Sequence, residues 1–391
     1  MKKKYVLIAL MLLLGGIGLL IVNKQTAVSE AETNVAAETA SAKNNDGALS
    51  ENDIVLTHDV DLNLVDIEVE KHGYHPSTKQ ERDTLRKSYL IARDGADAML
   101  TFHVVDATGQ SVPDALFHAE FIFNEESFTE MNGKTDKNGM FVAKGKTSFE
   151  VNYVVQKDEY YQTSTTYKFN KQQGDDVKNG KWTQWNPMVK VTLKEKRNPI
   201  PMYAQGITIK LPEKGKSFGV DFKVGDLVKP YGMGEHADLL VMCNIEERGH
   251  FFDMKAELFV TAVHPDEGII INTADNGSQL RSSHEAQESG YEPKYYLVED
   301  RTAEKVLQKI EFTQTEYLTF RSRIVRDNEG EIISSHYGKI TAVEYGRFNA
   351  RSSDARVSFT YYFNPTPNDR NIEYDPDENL FDKRKFRGMQ P

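Results

Sequence analysis

The sequence predicts a mainly β protein: two antiparallel β-sandwich-type domains that follow an N-terminal hydrophobic signal or anchor and a flexible linker. Three observations carry that expectation. Between Leu100 and Leu193, apolar residues recur at every second position in several runs, the period of a strand with one buried face. Asp and Gly bracket tight turns at Asp106/Gly109, Asp136/Gly139 and Asp327/Gly330, which is the chemistry of a type I turn closed by a residue that tolerates positive φ. At the start of the chain, Lys2, Lys3 and Lys4 precede an uncharged, mostly apolar run from Tyr5 to Val22, the pattern of an export signal.

Taken in order, residues 1–24 are expected to be a signal peptide or a signal anchor. The apolar run is long enough to span a bilayer, with the lysines left in the cytoplasm. The small residues Ala27-Val28-Ser29 and Ser29-Glu30-Ala31 equally offer a peptidase its sites, so both outcomes stand. Residues 25–53 are rich in Ala, Glu, Ser, Thr and Asn, and contain no aromatic residue. Such a segment buries too little to offset the entropy of ordering and reads as a disordered linker. Residues 54–96 form an N-terminal extension, weakly alternating up to Glu70. After it, Ser77-x-x-Gln80 and Thr78-x-x-Glu81 are overlapping capping boxes for a short helix that runs to about Ala92 and is closed by Gly95.

The first sandwich is expected over 97–197. Ala115, Phe117, Ala119, Phe121 and Phe123 share one strand face, while His118 and Glu120 lie on the other. Leu100, Phe102 and Val104 repeat the pattern, as do Phe149, Val151, Tyr153 and Val155, and later Val189, Val191 and Leu193. Within this stretch, VVDATGQSVPDALFHAEF followed by GKTDKNGMF resembles the carboxypeptidase-regulatory-like and bacterial Ig-like modules. Val112, Pro113 and Ala115 fill their Val-Pro-x-Ala strand entry, and Thr135, Asp136, Gly139 and Phe141 fill their hairpin. The resemblance implies a β-sandwich that serves exported proteins as a non-catalytic spacer or binding domain; it names no site residues.

Asn198-Pro-Ile-Pro201 is read as a break in regular structure and as the boundary of a second β-rich domain over 198–381. Leu239 to Ile245 reads as a strand buried on both faces, and Ala256, Leu258, Val260 and Ala262 alternate. Gly268 to Thr273 is a further strand, and the polar stretch Asn272 to Glu292 reads as an exposed loop. Asp300 or Thr302 is expected to cap a short helix carrying Val306, Leu307 and Ile310. A hairpin then pairs Tyr317–Val325 with Glu331–Tyr337, and Val357, Phe359, Tyr361 and Phe363 mark a last strand. An extended tail follows, with Ile372, Tyr374, Leu380 and Phe381 lying over the domain, and residues 382–391 form a basic end.

Composition narrows the partners. The formal net charge is −11, and four lysines sit in the leader, so the exported body is more acidic still and repels nucleic acid. Cell-envelope polysaccharide, envelope proteins and cations remain, with the membrane reached through the N-terminal segment. The single cysteine, Cys243, excludes a disulfide within one chain and reads as a core residue.

Each catalytic motif fails in its context. Gly215-Lys-Ser-Phe-Gly219 has the letters of a hydrolase elbow, but Pro212 precedes it and a strand-like segment follows where a helix is required. Gly232-Met-Gly-Glu-His-Ala237 precedes a strand rather than a helix, so its amides would not converge on a pyrophosphate. His72 and His75 flank a loop without a third ligand, and Ser335 and His336 point to opposite sides of one strand. Asp369, Glu373, Asp375, Asp377 and Glu378 offer oxygen ligands for Ca²⁺, without EF-hand spacing. Trp182 and Trp185, the only tryptophans, are the candidate ligand-binding residues: three apart, they place one ring inward and leave the other available to stack on a sugar. No catalytic residue and no cofactor is assigned. The expected function is a membrane-tethered, non-enzymatic binding or scaffolding protein outside the cytoplasm, possessing carbohydrate affinity. A polysaccharide-active enzyme or accessory subunit and a component of a secretion or surface-layer assembly are the alternatives.

Overall fold

The computed structural model describes residues 62–124, 127–169, 177–249, 253–347, 354–381 and 389–391. The expected signal or anchor, the linker and most of the basic tail lie outside these residues. No described helix is long and apolar enough to cross a membrane. The described residues from Leu62 onward form one compact unit.

Two helices open the described chain, α1 (Leu62–Lys71) and α2 (Lys79–Asp94). The expected cap forms around Thr78. Its hydroxyl accepts from the Glu81 amide at 3.2 Å, while Ser77 donates its amide and hydroxyl to the Glu81 carboxylate. At the other end the Gly95 amide donates to the Ile91 carbonyl, and φ there is +69°, a value that favours glycine. The weakly alternating segment before it is helical: Asp66 of α1 takes a two-pronged grip from Arg86 of α2 at 2.6 and 2.7 Å, and Val65, Val69 and Leu90 close a small apolar cluster.

The first sandwich comprises β1 (Ala96–Asp106), β2 (Leu116–Asn124), β3 (Ser127–Lys134), β4 (Met140–Thr147), β5 (Glu150–Gln156), β6 (Thr163–Lys168), β7 (Val177–Lys178), β8 (Lys181–Trp182) and β9 (Met188–Leu193). One sheet runs β4-β1-β8-β7, with β9 lying parallel to β1; the other runs β3-β2-β5-β6. The period-two faces read from sequence meet between them. Leu100, Phe102 and Val104 face Phe117, Phe121, Val151 and Val155, all buried, and Phe117 stacks on Phe141 at 4.5 Å. The Asp-x-x-Gly turns share one geometry: the Asp oxygen accepts the amides two and four residues on at Asp106, Asp136 and Asp327 alike. At Gly139, where φ is +71°, a Cβ would also sit 2.5 Å from the Val104 carbonyl, so no side chain fits.

The second sandwich comprises β10 (Ile200–Lys210), β11 (Phe218–Asp221), β12 (Asp226–Leu227), β13 (Leu239–Glu247), β14 (Met254–Thr261), β15 (Gly268–Thr273), β16 (Lys294–Arg301), β17 (Val306–Ile310), β18 (Glu316–Arg326), β19 (Ile332–Arg347), β20 (Ala355–Phe363) and β21 (Tyr374–Asn379). Its sheets are ordered β15-β18-β19-β20-β10-β21 and β12-β11-β13-β14-β16-β17. Phe222, Phe320 and Tyr361 fill the middle, and Cys243 lies in this core as expected.

Four local expectations are corrected. Val306–Ile310 is a strand rather than a helix: its backbone pairs with β16, and every residue of this edge strand is exposed. Thr302 caps the intervening turn instead of a helix, its hydroxyl accepting from the amides of Glu304 and Lys305. Burial along β13 alternates, so the strand is buried on one face only. The segment after β15 is polar but not exposed throughout, for Ala274, Leu280, Ser282 and Ala286 are buried. Finally, Asn198–Pro201 does not exclude regular structure. β10 begins at Ile200, and Pro201 falls where the β10–β21 register slips, a position at which its missing amide costs no ladder bond.

A buried charge network closes one end of the second sandwich. Arg323, held at φ +52° in the bulge of β18, donates to Asp238 at 2.7 and 2.8 Å and to Asp221 at 2.7 Å. The same carboxylates accept backbone amides of Phe222, Glu235 and His236, which pins the 221–238 segment, including its glycine turn, onto the facing sheet.

The two sandwiches meet at a polar junction. Glu373, buried just before β21, accepts from the Tyr161 hydroxyl at 2.8 Å and from the amides of Arg197 and Asn198 at 2.9 Å each. Lys194 reaches from the end of β9 to the carbonyls of Leu280 and Ser282, and Lys339 of β19 donates to the Ser282 hydroxyl at 2.9 Å. Backbone bonds from Ser164 to Gly277 and from Gln279 to Gln162 complete the seam.

Glu373→Gln places an amide NH₂ among donors and is expected to destabilise the chain by about 2–4 kcal/mol in urea titrations, with Tyr161→Phe costing about 1–2 kcal/mol. Burial, reinforced by Lys194 and opposed by Glu373, pushes the Lys339 amine down to about 7. Between that value and its ordinary 10.5 the unfolded chain holds a proton that the folded chain lacks, so this group makes stability rise with pH across that window. Lys339→Met is expected to remove that rise when urea midpoints are compared between pH 7.5 and 9.

Candidate functional site

The outer face of the β3-β2-β5-β6 sheet brings together one histidine and two carboxylates, His118, Glu120 and Glu130. The pleat dictates it: with Ala115, Phe117, Ala119 and Phe121 committed to the core, His118 and Glu120 must point outward. Register then sets their neighbours. His118 lies opposite Asn132 of β3 and Val154 of β5, and Glu120 lies opposite Glu130 of β3 and Asn152 of β5.

His118 is bonded on both sides. Its Nδ1 lies 2.6 Å from Oδ1 of Asn132 and its Nε2 lies 3.0 Å from Oε1 of Glu120. Partial burial lowers the His118 pKa, but the Glu120 carboxylate and the Asn132 oxygen outweigh it, helped by Glu130, and the net displacement is upward. Glu120 and Glu130 face each other directly across the ladder. No basic side chain is paired with Glu130 among the described residues, and like charges in that relation repel. The ligand atoms of His118, Glu120 and Glu130 all lie within 4.8 Å of one another. Two shallow depressions flank the imidazole. One, of about 420 Å³, is edged by Leu116, Lys134 and Gln156; the other, of about 310 Å³, is edged by Asn152, Ser164 and Thr166.

The residues singled out in the sequence lie elsewhere. Trp182 is 4% exposed, stacked on Phe169 at 5.1 Å, and its Nε1 donates to the Thr147 carbonyl at 3.0 Å. Trp185 is 45% exposed with the Lys181 ammonium over its ring at 5.0 Å. The pair is thus split between core and surface. Of the tail carboxylates, Glu373 is consumed by the junction, Asp369 holds Asn364 and the Asn371 amide, and Asp375 holds the Asp377 amide. Ser217 is exposed in the loop before β11. His72 lies beside the Glu68 carbonyl at the end of α1, and the Ser335 hydroxyl and the His336 ring turn to different partners, Tyr337 and the Pro365 carbonyl.

Sequence reasoning placed His118 and Glu120 on one outward face and took them no further. The third member was hidden because Ser127–Lys134 has no clean period-two pattern, so nothing in the sequence brought Glu130 across from Glu120.

No family model and no curated protein sequence matches the chain. Among solved structures it is similar to 3-chlorocatechol 1,2-dioxygenase from Rhodococcus opacus 1CP, at 13% identity and TM-score 0.22, over 27% of this chain and 62% of the dioxygenase. It is also similar to catechol 1,2-dioxygenase from an Acinetobacter species, at 12% identity and TM-score 0.21, over 26% and 53%. A streptococcal ancillary pilin aligns at 11% identity and TM-score 0.18, over 60% of each chain. The chain spans less than two thirds of each of these proteins, and likenesses at such scores carry no argument about its fold or activity.

The split tryptophans make a direct test. Trp182→Phe loses a buried hydrogen bond and ring area and is expected to cost about 1–3 kcal/mol in urea unfolding, whereas Trp185→Phe costs under about 0.5 kcal/mol. Iodide quenching of the fluorescence should disappear with Trp185→Phe and persist with Trp182→Phe.

Proposed function

We propose that this protein is an exported, membrane-tethered, non-enzymatic component of the cell envelope, in which a stiff pair of β-sandwiches presents a binding surface away from the membrane. The observation that carries this reading is the junction at Glu373 and Lys194. A buried carboxylate and a half-buried ammonium join the two sandwiches by side-chain hydrogen bonds, where two freely hinged modules would need only a linker. A lysine-led apolar leader and a polar linker ahead of a rigid body suit a spacer or scaffold, and the resemblance of the first sandwich to carboxypeptidase-regulatory-like and bacterial Ig-like modules agrees with it. Envelope polysaccharide and envelope proteins are the partners this address supplies, and the exposed Trp185 ring suits the apolar face of a sugar.

Intact cells expressing the full chain, treated with a membrane-impermeant amine-reactive label and then fractionated, should yield labelled protein with the envelope. Unlabelled protein in the cytosolic fraction would overturn the reading. The full chain, extracted in mild detergent and passed over immobilised envelope polysaccharides, is expected to be retained without release of reducing sugar, and Trp185→Ala to weaken retention at least about tenfold. Release of sugar would replace binding with hydrolysis.

A further inference from the structure

We propose that His118, Glu120 and Glu130 form a binding site for one divalent transition-metal ion of the zinc class on the outer face of the first sandwich. The inference stands on the geometry of that sheet and does not depend on the envelope reading. The Nε2 of His118 lies 3.0 Å from Oε1 of Glu120, and the β2–β3 register holds Glu120 and Glu130 opposite each other. An ion placed there brings two positive charges between the carboxylates and relieves the repulsion between Glu120 and Glu130.

The donor set selects the ion class. One imidazole nitrogen and two carboxylate oxygens suit Zn²⁺, Co²⁺ and their neighbours, whereas Ca²⁺ and Mg²⁺ take oxygen alone. Ligand atoms already within 4.8 Å need only side-chain adjustment to close around an ion bonded at about 2.0–2.2 Å, and Glu130 is exposed and able to make it. Water completes the coordination from the open side. Asn132 is the positioning residue. Its Oδ1 lies 2.6 Å from Nδ1 and can accept the hydrogen that nitrogen keeps once Nε2 is given to the metal.

The metal takes the Nε2 lone pair of the neutral imidazole, any proton held on that nitrogen passes to solvent, and no redox step occurs. The charged groups facing the ring are Glu120 on its own strand and Glu130 and Lys134 on β3, while β5 presents the uncharged Asn152 and Val154.

The test uses the full chain in mild detergent, stripped with EDTA and titrated with Zn²⁺ by calorimetry and with Co²⁺ by visible absorption. Wild type is expected to bind one equivalent more than His118→Ala and to show a Co²⁺ ligand-field band that this variant lacks. Glu130→Gln should weaken binding at least about tenfold, and Asn132→Ala about 10–100-fold. All three changes lie on an outer sheet face, so metal-free unfolding midpoints near wild type establish that the variants are folded. Equal stoichiometry and affinity in wild type, His118→Ala and Glu130→Gln would overturn the proposal, as would the absence of Zn²⁺ binding below about 1 mM at pH 7.5. Either result would leave the envelope reading untouched, because that reading is tested by labelling in cells.

Discussion

The architecture depends on one buried carboxylate. Glu373 lies where the tail of the second sandwich passes the segment leaving the first, and its two oxygens accept from a tyrosine hydroxyl on one side and two consecutive backbone amides on the other. A charge removed from water costs several kcal/mol unless its lone pairs are filled, and here three donors from the first sandwich and the linker fill them. Separating the sandwiches would break the bond from Tyr161 to this carboxylate, which opposes hinge opening. Lys194 repeats the logic with the sign reversed, its ammonium meeting the carbonyls of Leu280 and Ser282, and buried Lys339 braces the same segment by donating to the Ser282 hydroxyl.

That rigidity gives the outer sheet face its meaning. A sheet whose back is packed with Phe117, Phe121, Val151 and Val155 cannot repack, so its front-facing residues stay at the spacing that register imposes. His118, Glu120 and Glu130 are thereby presented as a preorganised set, at an open surface rather than in a deep cleft. Such a placement suits recognition or metal-mediated contact more than chemistry that must exclude water. Trp185 and the Arg323 network lie apart from it. The first is an exposed ring, and the second is a staple, with Nε and Nη2 of Arg323 donating to Asp221 and Asp238.

What failed to show in the sequence failed for physical reasons. Val306, Leu307 and Ile310 are spaced as one helix face, yet hydrogen bonding to β16 makes them an edge strand, and local spacing contains no information about a partner strand. The stretch 272–292 reads as solvent-exposed because it is polar. It is partly buried because Lys194 and Lys339 bond to Ser282, an arrangement only docking reveals. β3 was missed for want of alternation, and with it the residue that completes the metal-ligating trio.

By itself, the sequence determined whatever is decided within a few residues: the Asp-x-x-Gly turns, the Thr78 and Gly95 caps, and the period-two faces that dictate which side chains of β2 point inward. These follow from backbone sterics and local hydrogen bonds. Only the tertiary structure decided the register that sets Glu120 against Glu130 and the docking that brings Tyr161 to Glu373 across 212 residues of chain. Both are contacts between segments that meet only after each has folded, so their geometry is settled by packing and by the need to satisfy buried charge.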